Sequence, residues 1–186
     1  RSIYQDNNGE SKFKCYVYFF SFSRTPNELS FKMKIMKSPI TGKEMSLRRK
    51  KSSLTFRKEE FIFFSHFYVC EDYGEQFTST ELDELNVLQV HNQYRDKYNL
   101  PFPSEIQSIR NKYELAATKM SEILGFGINS YRNYENGEVP SNSNGRLIHL
   151  ISDPKKFKEM VDLCGGLSEK EKSSLKLRID ELIDQS

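Results

Sequence analysis

Two glycines one residue apart, Gly125 and Gly127, interrupt a helical pattern in "EILGFGINSYRNYENGEVP", residues 122–140. Before them, Leu115, Met120, Ile123 and Leu124 recur at helical spacing. After them, Ile128, Tyr131 and Tyr134 do the same, up to Gly137 and Pro140. Such a chain must end one helix and begin another within three or four residues, and glycine lacks the Cβ that would clash in that reversal. The spacing predicts a helix-turn-helix with Ile128, Tyr131 and Tyr134 facing inward. Asn129, Ser130, Arg132 and Asn133 then point outward or flank a groove. Asn pairs bidentately with adenine and Arg with guanine or phosphate, so this face suits a DNA major groove. A ligand-free αα-hairpin is the plainer alternative, although its outer face would more often carry Lys and Glu.

The surrounding segments predict further short helices. Thr80 with Asp83 resembles a capping box opening a helix over 80–98, with Leu82, Leu85, Leu88, Tyr94 or Arg95, and Tyr98 on one face. Asn99, Pro101 and Pro103 end it. Ser104 caps "EIQSIRNKY", which buries Ile106, Ile109 and Tyr113. "RLIHLI" adds another apolar stripe. Asp153 followed by Pro154 opens "KKFKEMVDLC", and Ser168 with Glu171 opens a last helix bearing Leu175, Ile179, Leu182 and Ile183. That last stripe either forms a dimer seam or closes the domain.

The N-terminal part changes period. "SPITGKEM" (38–45) reads as a turn, "SLTFR" alternates with Leu54 and Phe56 on one face, and "KEE" reverses the chain into "FIFFSHFYVC" (61–70), an apolar run expected to be a buried strand. "EDYGEQF" is a second turn. The organisation expected is an extension or added edge strand (1–32), a small β module (33–78), a helical connector (79–100) and a helix-turn-helix domain with C-terminal helices (101–186). The extension reading rests on an opening Arg, with Met33 and Met36 following. The fold class is α+β, mostly α, with a small β-hairpin module preceding an all-helical domain.

"IRNKYELAATKMSEILGFGINSYRNYENGEVPS" (109–141) resembles the helix-turn-helix of the MqsA/YgiT-type antitoxins, within the wider Xre/Cro-like class. The shared pattern is IR, a leucine opening the second helix, S-E-I, G-x-G-hydrophobic-N, then Y-E-x-G with a downstream Pro-Ser. More loosely, the likeness extends upstream to "YVCEDYGEQF" and "MKSPITGKEM", where the family carries two CxxCG zinc half-sites. It implies a dimeric repressor of its own operon, with double-stranded operator DNA and a toxin protein as partners. Carried over by position, Asn129 is the base reader. Position 133, often Arg in the family, is Asn here, and Ala117 stands where relatives often hold a phosphate-binding Gln. The zinc half-sites depart further. The first reads Ser38-Pro39-Ile40-Thr41-Gly42 and the second Cys70-Glu71-Asp72-Tyr73-Gly74. Structural zinc needs four Cys or His ligands, so the module is expected to be zinc-ribbon-like but metal-free, held by Phe61, Phe63, Phe64, Phe67 and Tyr68.

Charge narrows the partners only locally. The net charge is +2 in 186 residues, and the helix-turn-helix is near neutral. Arg110, Lys112, Lys119 and Arg146 stand around the second helix as candidate phosphate contacts, and Lys119 and Arg146 are kept as site residues with Asn129, Ser130, Arg132 and Asn133. "RRKK" (48–51) reads as a solvated hairpin tip, or as a contact for phosphates or an acidic partner. An interaction module that neutralises a toxin without binding DNA is the competing function. Catalysis is not expected: His66 and Cys70 would stand roughly 13 Å apart on one strand face, and no phosphate-binding glycine loop or metal-binding histidine motif suggests a cofactor. Cys15, Cys70 and Cys164 are odd in number and far apart, which disfavours a disulfide framework and suits the cytoplasm. "CYVYFFSF" (15–22) is too short to span a bilayer.

Overall fold

The computed structural model describes residues 35–185, so the readings placed on 1–32, Cys15 and the 15–22 run included, lie outside the described residues. Of the turn predicted over 38–45, the part from Ser38 to Lys43 is present, closed by Ser38 and Lys43 and carried by Gly42 at φ 71°. It leads into β1 (Ser46–Phe56), which pairs antiparallel with β2 (Glu59–Val69) from Ser46↔Val69 to Phe56↔Glu59. β3 (Gln76–Phe77) adds to the other side of β2, giving the order β1-β2-β3. The hairpin reverses at Arg57-Lys58, not at "KEE": Glu59 and Glu60 already belong to β2. Both turn residues have left-handed backbones, φ 49° and 71°. Two-residue turns favour that geometry but usually fill it with Asn or Gly, so the sequence carries no visible turn signal there. "RRKK" consequently lies in the middle of an edge strand and is not the tip. Lys and Arg on an open edge discourage pairing with another copy.

β2 is not the fully buried strand its apolar run suggested. Phe61 and Phe63 turn toward α1 (Thr80–Tyr98), whereas Ile62 and Phe64 on the opposite face are 47% and 43% exposed. α1 runs along the strand edge that β3 leaves open, and it seals that edge with amide side chains. Asn86 exchanges hydrogen bonds with the backbone of His66 (2.8 and 3.1 Å), Gln89 with that of Phe64 (3.2 and 2.9 Å), and Gln93 donates to the Ile62 carbonyl at 2.9 Å. Helix spacings of three and four residues thus follow a strand two residues at a time, and the groups an edge would expose are satisfied. The helix is capped by Ser79, one residue before the expected Thr80. Its buried face is Leu82, Val90, Tyr94 and Arg95, with Leu85 and Leu88 half-buried and Tyr98 exposed. Asn99 ends it in the left-handed region at φ 50°.

Six helices follow: α2 (Pro103–Lys112), α3 (Ala117–Ile123), α4 (Ser130–Glu135), α5 (Asn142–Leu150), α6 (Pro154–Leu163) and α7 (Glu169–Asp184). Ser104 does not cap α2, which starts one residue earlier at Pro103, and the Glu105 carboxylate accepts the Phe102 N–H instead. Asp153 and the Ser168–Glu171 box cap α6 and α7 as read from the sequence. The Ser168 hydroxyl and N–H, then Lys119, hold the Glu171 carboxyl down to about 2. One core joins these helices, with Ile106, Tyr113, Met120, Tyr131, Ile148, Phe157, Val161 and Ile179 fully buried in it. Leu175 and Ile179 belong to this core and the half-buried Leu182 and Ile183 pack against it, so the α7 stripe closes the helical unit.

Candidate nucleic-acid interface

The segment joining α3 to α4 runs from Leu124 to Asn129, longer than the predicted three or four residues. Gly125, at φ 67°, ends α3 and lets the Phe126 N–H return to the Ser121 carbonyl at 2.8 Å. Ser121 is buried, and its hydroxyl accepts the Tyr131 N–H at 3.1 Å, tying the first turn of α4 to α3. At Gly127 a Cβ would lie 3.1 Å from the Ser130 hydroxyl, a tight approach that this side chain would have to relieve by shifting.

α4 is anchored by its aromatic side. Tyr131 is fully buried and its hydroxyl donates to the Ile106 carbonyl at 2.9 Å, a setting that pushes its pKa well up, burial being the main cause. Tyr134 is buried, accepts from the Asn144 amide at 2.9 Å and meets Phe126 edge-on. Ile128 does not share this inner face: it precedes the helix and is 72% exposed. Asn129 stands at the helix N-cap. Its side chain and those of Arg132 and Asn133 are exposed and make no hydrogen bond or ion pair among the described residues, while Ser130 is half-buried. Arg146, on α5, is likewise exposed and unpaired among the described residues.

The other cations expected around α4 are already engaged. Arg110 donates from Nε to Glu135 at 2.6 Å and from Nη1 to the Leu115 carbonyl at 2.9 Å, so it staples α2 to the end of α4. Lys112 donates to the Ser152 carbonyl at 3.0 Å. Lys119 pairs with Glu122 at 2.8 Å and Glu171 at 3.2 Å, and these partners, Glu122 first, raise its pKa. Arg110 is thus held by a carboxylate and a carbonyl, whereas Lys112 is exposed and makes a single bond to a carbonyl.

The two glycine-bearing turns of the small module keep matching backbones, Gly42 and Gly74 both at φ 71°. What they enclose is a hydrogen-bonded thiol. Ser38 donates to Cys70 Sγ at 3.2 Å, and Thr41 Oγ1 lies 3.8 Å from the same sulfur. The Ser38 hydroxyl draws the thiol below its ordinary pKa, against the opposing effect of burial. Tyr73, in the remaining ligand position, is 66% exposed. One thiol with two hydroxyls and a phenol does not fit tetrahedral zinc, which takes thiolate and imidazole. Among the described residues no group of three or more His, Cys, Asp or Glu could hold a metal. Of the aromatics expected to hold this module, Phe61 and Phe63 pack against α1 and Tyr68 is buried. Phe64 instead lies exposed beneath Arg49, and the half-buried Phe67 lies beneath Lys50. EDTA is expected to leave the melting temperature unchanged, and elemental analysis to find no stoichiometric zinc; one zinc per chain would refute this. His66 is held by Asn86, so it and Cys70 are partnered separately.

The family model for MqsA, the antitoxin component of a bacterial toxin-antitoxin system, matches residues 30–161. The chain belongs to the MqsA antitoxin family. The match takes in the β-hairpin, the edge-sealing α1, the α3–α4 unit and most of α6, and it stops before α7. No curated protein matches the chain. Membership in this family of antitoxin components implies a toxin partner. None of its helices among the described residues is long and apolar enough to cross a membrane.

Sequence reasoning missed Ser121, the amide ladder of α1, and two arginines, Arg57 and Arg95, that reach the segment after α4. Each acts on a partner far away in the chain, and no local pattern signals it.

Proposed function

We propose that this antitoxin binds double-stranded operator DNA as a homodimer and represses its own operon, with α4 as the recognition helix. The observation that carries the reading is the division of labour on α4. Tyr131 and Tyr134 are sunk in the core, whereas Asn129, Arg132 and Asn133 are exposed without partners among the described residues. A purely structural helix gains nothing from this particular polar set. Asn129 and Asn133 suit base edges, and Arg132 and Arg146 suit phosphates. Ser130 is a flanking contact. Lys119 is the weakest of the proposed contacts, since it must leave two carboxylates to reach DNA. Two copies reading successive major grooves about 34 Å apart would bind a palindrome, and pairing two weak sites offsets the near-neutral charge of each.

The test is a gel shift on the DNA upstream of the protein's own gene, repeated across salt concentrations. Replacing Arg132 or Arg146 by Ala is expected to weaken binding on all sequences alike and to flatten the salt dependence, by about 1 in log–log slope for each phosphate that is no longer neutralised. An unchanged slope for both variants would remove the phosphate role.

A second reading, toxin neutralisation without DNA binding, is favoured by the hairpin. β1 is an edge strand, and Arg49 and Lys51 project beside the exposed Ile62 and Phe64. That combination suits an acidic strand added to the sheet. Toxin capture with no shift of operator DNA would select this reading.

A further inference from the structure

We propose that Arg57 and Arg95 are positioning residues for α4, coupling the β-hairpin to the DNA-reading helix through the segment Gly137–Pro140. Three of the four carbonyls in that segment are taken by these two side chains. Arg95 Nη2 donates to Gly137 O at 2.7 Å, Arg57 Nη2 to Val139 O at 2.6 Å and Arg57 Nη1 to Pro140 O at 2.9 Å. The segment begins two residues after α4 ends at Glu135. Val139 is buried in the cluster of Phe61, Val90, Tyr94 and Leu100, so the same stretch also belongs to the packing between the hairpin and α1.

The cost of this arrangement argues that position is what it secures. Arg95 is fully buried, and among the described residues its only other bond is from Nη1 to Asn92 at 2.9 Å and its Nε has no partner. Neither arginine makes an ion pair among the described residues. Burial, with the Arg57 charge beside it, pushes Arg95 down to about 10. Taking a guanidinium out of water without a carboxylate costs several kcal/mol, and Leu or Met would fill the volume more cheaply. What an apolar residue cannot supply is a planar fork that fixes carbonyls in direction as well as distance. Arg57 is itself held from both sides. Its backbone is in the left-handed hairpin turn, and its guanidinium lies 5.0 Å from the Tyr94 ring of α1 and 5.3 Å from that of Phe56 in β1. The His91 ring lies tilted against the same Phe56, 4.6 Å between centroids.

A displacement of the hairpin therefore pulls on Val139 and Pro140, and through them on the last turn of α4. That helix has only six residues and little rigidity of its own. Coupling of this kind is reciprocal: a partner that moves the hairpin changes DNA affinity, and DNA changes affinity for the partner by the same factor.

The binding arm of the test rests on the operator reading above, and the exchange arm does not. In the full chain, Arg57→Ala is expected to speed amide exchange at Asn136 and Glu138 about tenfold or more. Operator affinity should fall about fivefold or more. In an Asn129→Ala background the affinity loss should shrink to about twofold or less, because the positioned side chain is gone. Arg57→Lys, which retains the charge but has one donor centre for two carbonyls, should fall between parent and Ala. Unchanged exchange in Arg57→Ala, or an affinity loss equal in both backgrounds, overturns the proposal. If the parent chain does not shift operator DNA, the operator reading fails, and exchange alone decides: acceleration at Asn136 and Glu138 sustains the clamp and its absence refutes it.

Discussion

Tyr131→Ala is expected to lower stability by about 3–5 kcal/mol, the usual cost of removing a fully buried aromatic, read as a shift of the urea midpoint at constant slope. Tyr131 joins three elements at once: its ring fills the core, its hydroxyl reaches Ile106 in α2, and its N–H is taken by Ser121 in α3. α4 is too short to persist without this anchor. Since natural domains have only about 5–15 kcal/mol in hand, the variant should also lose protection throughout α4. Tyr131→Phe separates the contributions. It keeps the ring and leaves the Ile106 carbonyl one partner short, so a loss of about 1 kcal/mol is expected. A Phe variant as damaged as the Ala variant would mean that the hydroxyl, not packing, holds α4.

What could be read from the residues in order was mostly local. The caps at Asp153 and Ser168 depend on neighbours two or three positions away, and both are where the chemistry of Asp-Pro and Ser-x-x-Glu placed them. The tyrosine stripe of α4 and the glycine break before it were legible for the same reason. Errors arose where a residue's partner lies far off. The hairpin turns on Arg57-Lys58, residues with no turn preference, whose left-handed backbone is compensated by carbonyls more than 80 residues away. Arg110 looked free because Glu135 is 25 residues on, whereas Lys119 has one partner only three residues on, Glu122, beside Glu171, 52 residues on. The aromatic run of β2 concealed its two-sidedness: Phe61 and Phe63 face a helix, Ile62 and Phe64 do not, and hydrophobicity alone does not distinguish them. The sequence left Tyr94 and Arg95 as alternatives on the α1 face, and both are buried, Arg95 fully.

Asn129→Ala should weaken operator binding by about 1–3 kcal/mol and relax the preference at one base position, while non-specific DNA is bound as before. The expectation follows from where Asn129 stands. It precedes the first residue of α4, the end that recognition helices of this class direct at base edges, and its side chain makes no competing bond among the described residues. A carboxamide there can offer one donor and one acceptor to the N6 and N7 of adenine together, which Ala cannot. The fold should hardly register the change, because the side chain is exposed and α4 has no side-chain cap bond at Asn129 to lose. Stability and affinity are thus predicted to separate at two positions two residues apart. Tyr131→Ala damages the fold and, through it, binding, whereas Asn129→Ala damages binding alone. If Asn129→Ala shifts the operator as well as the parent does, at the same salt and with the same base preference, α4 is not reading DNA through this residue, and the toxin-only reading gains the ground.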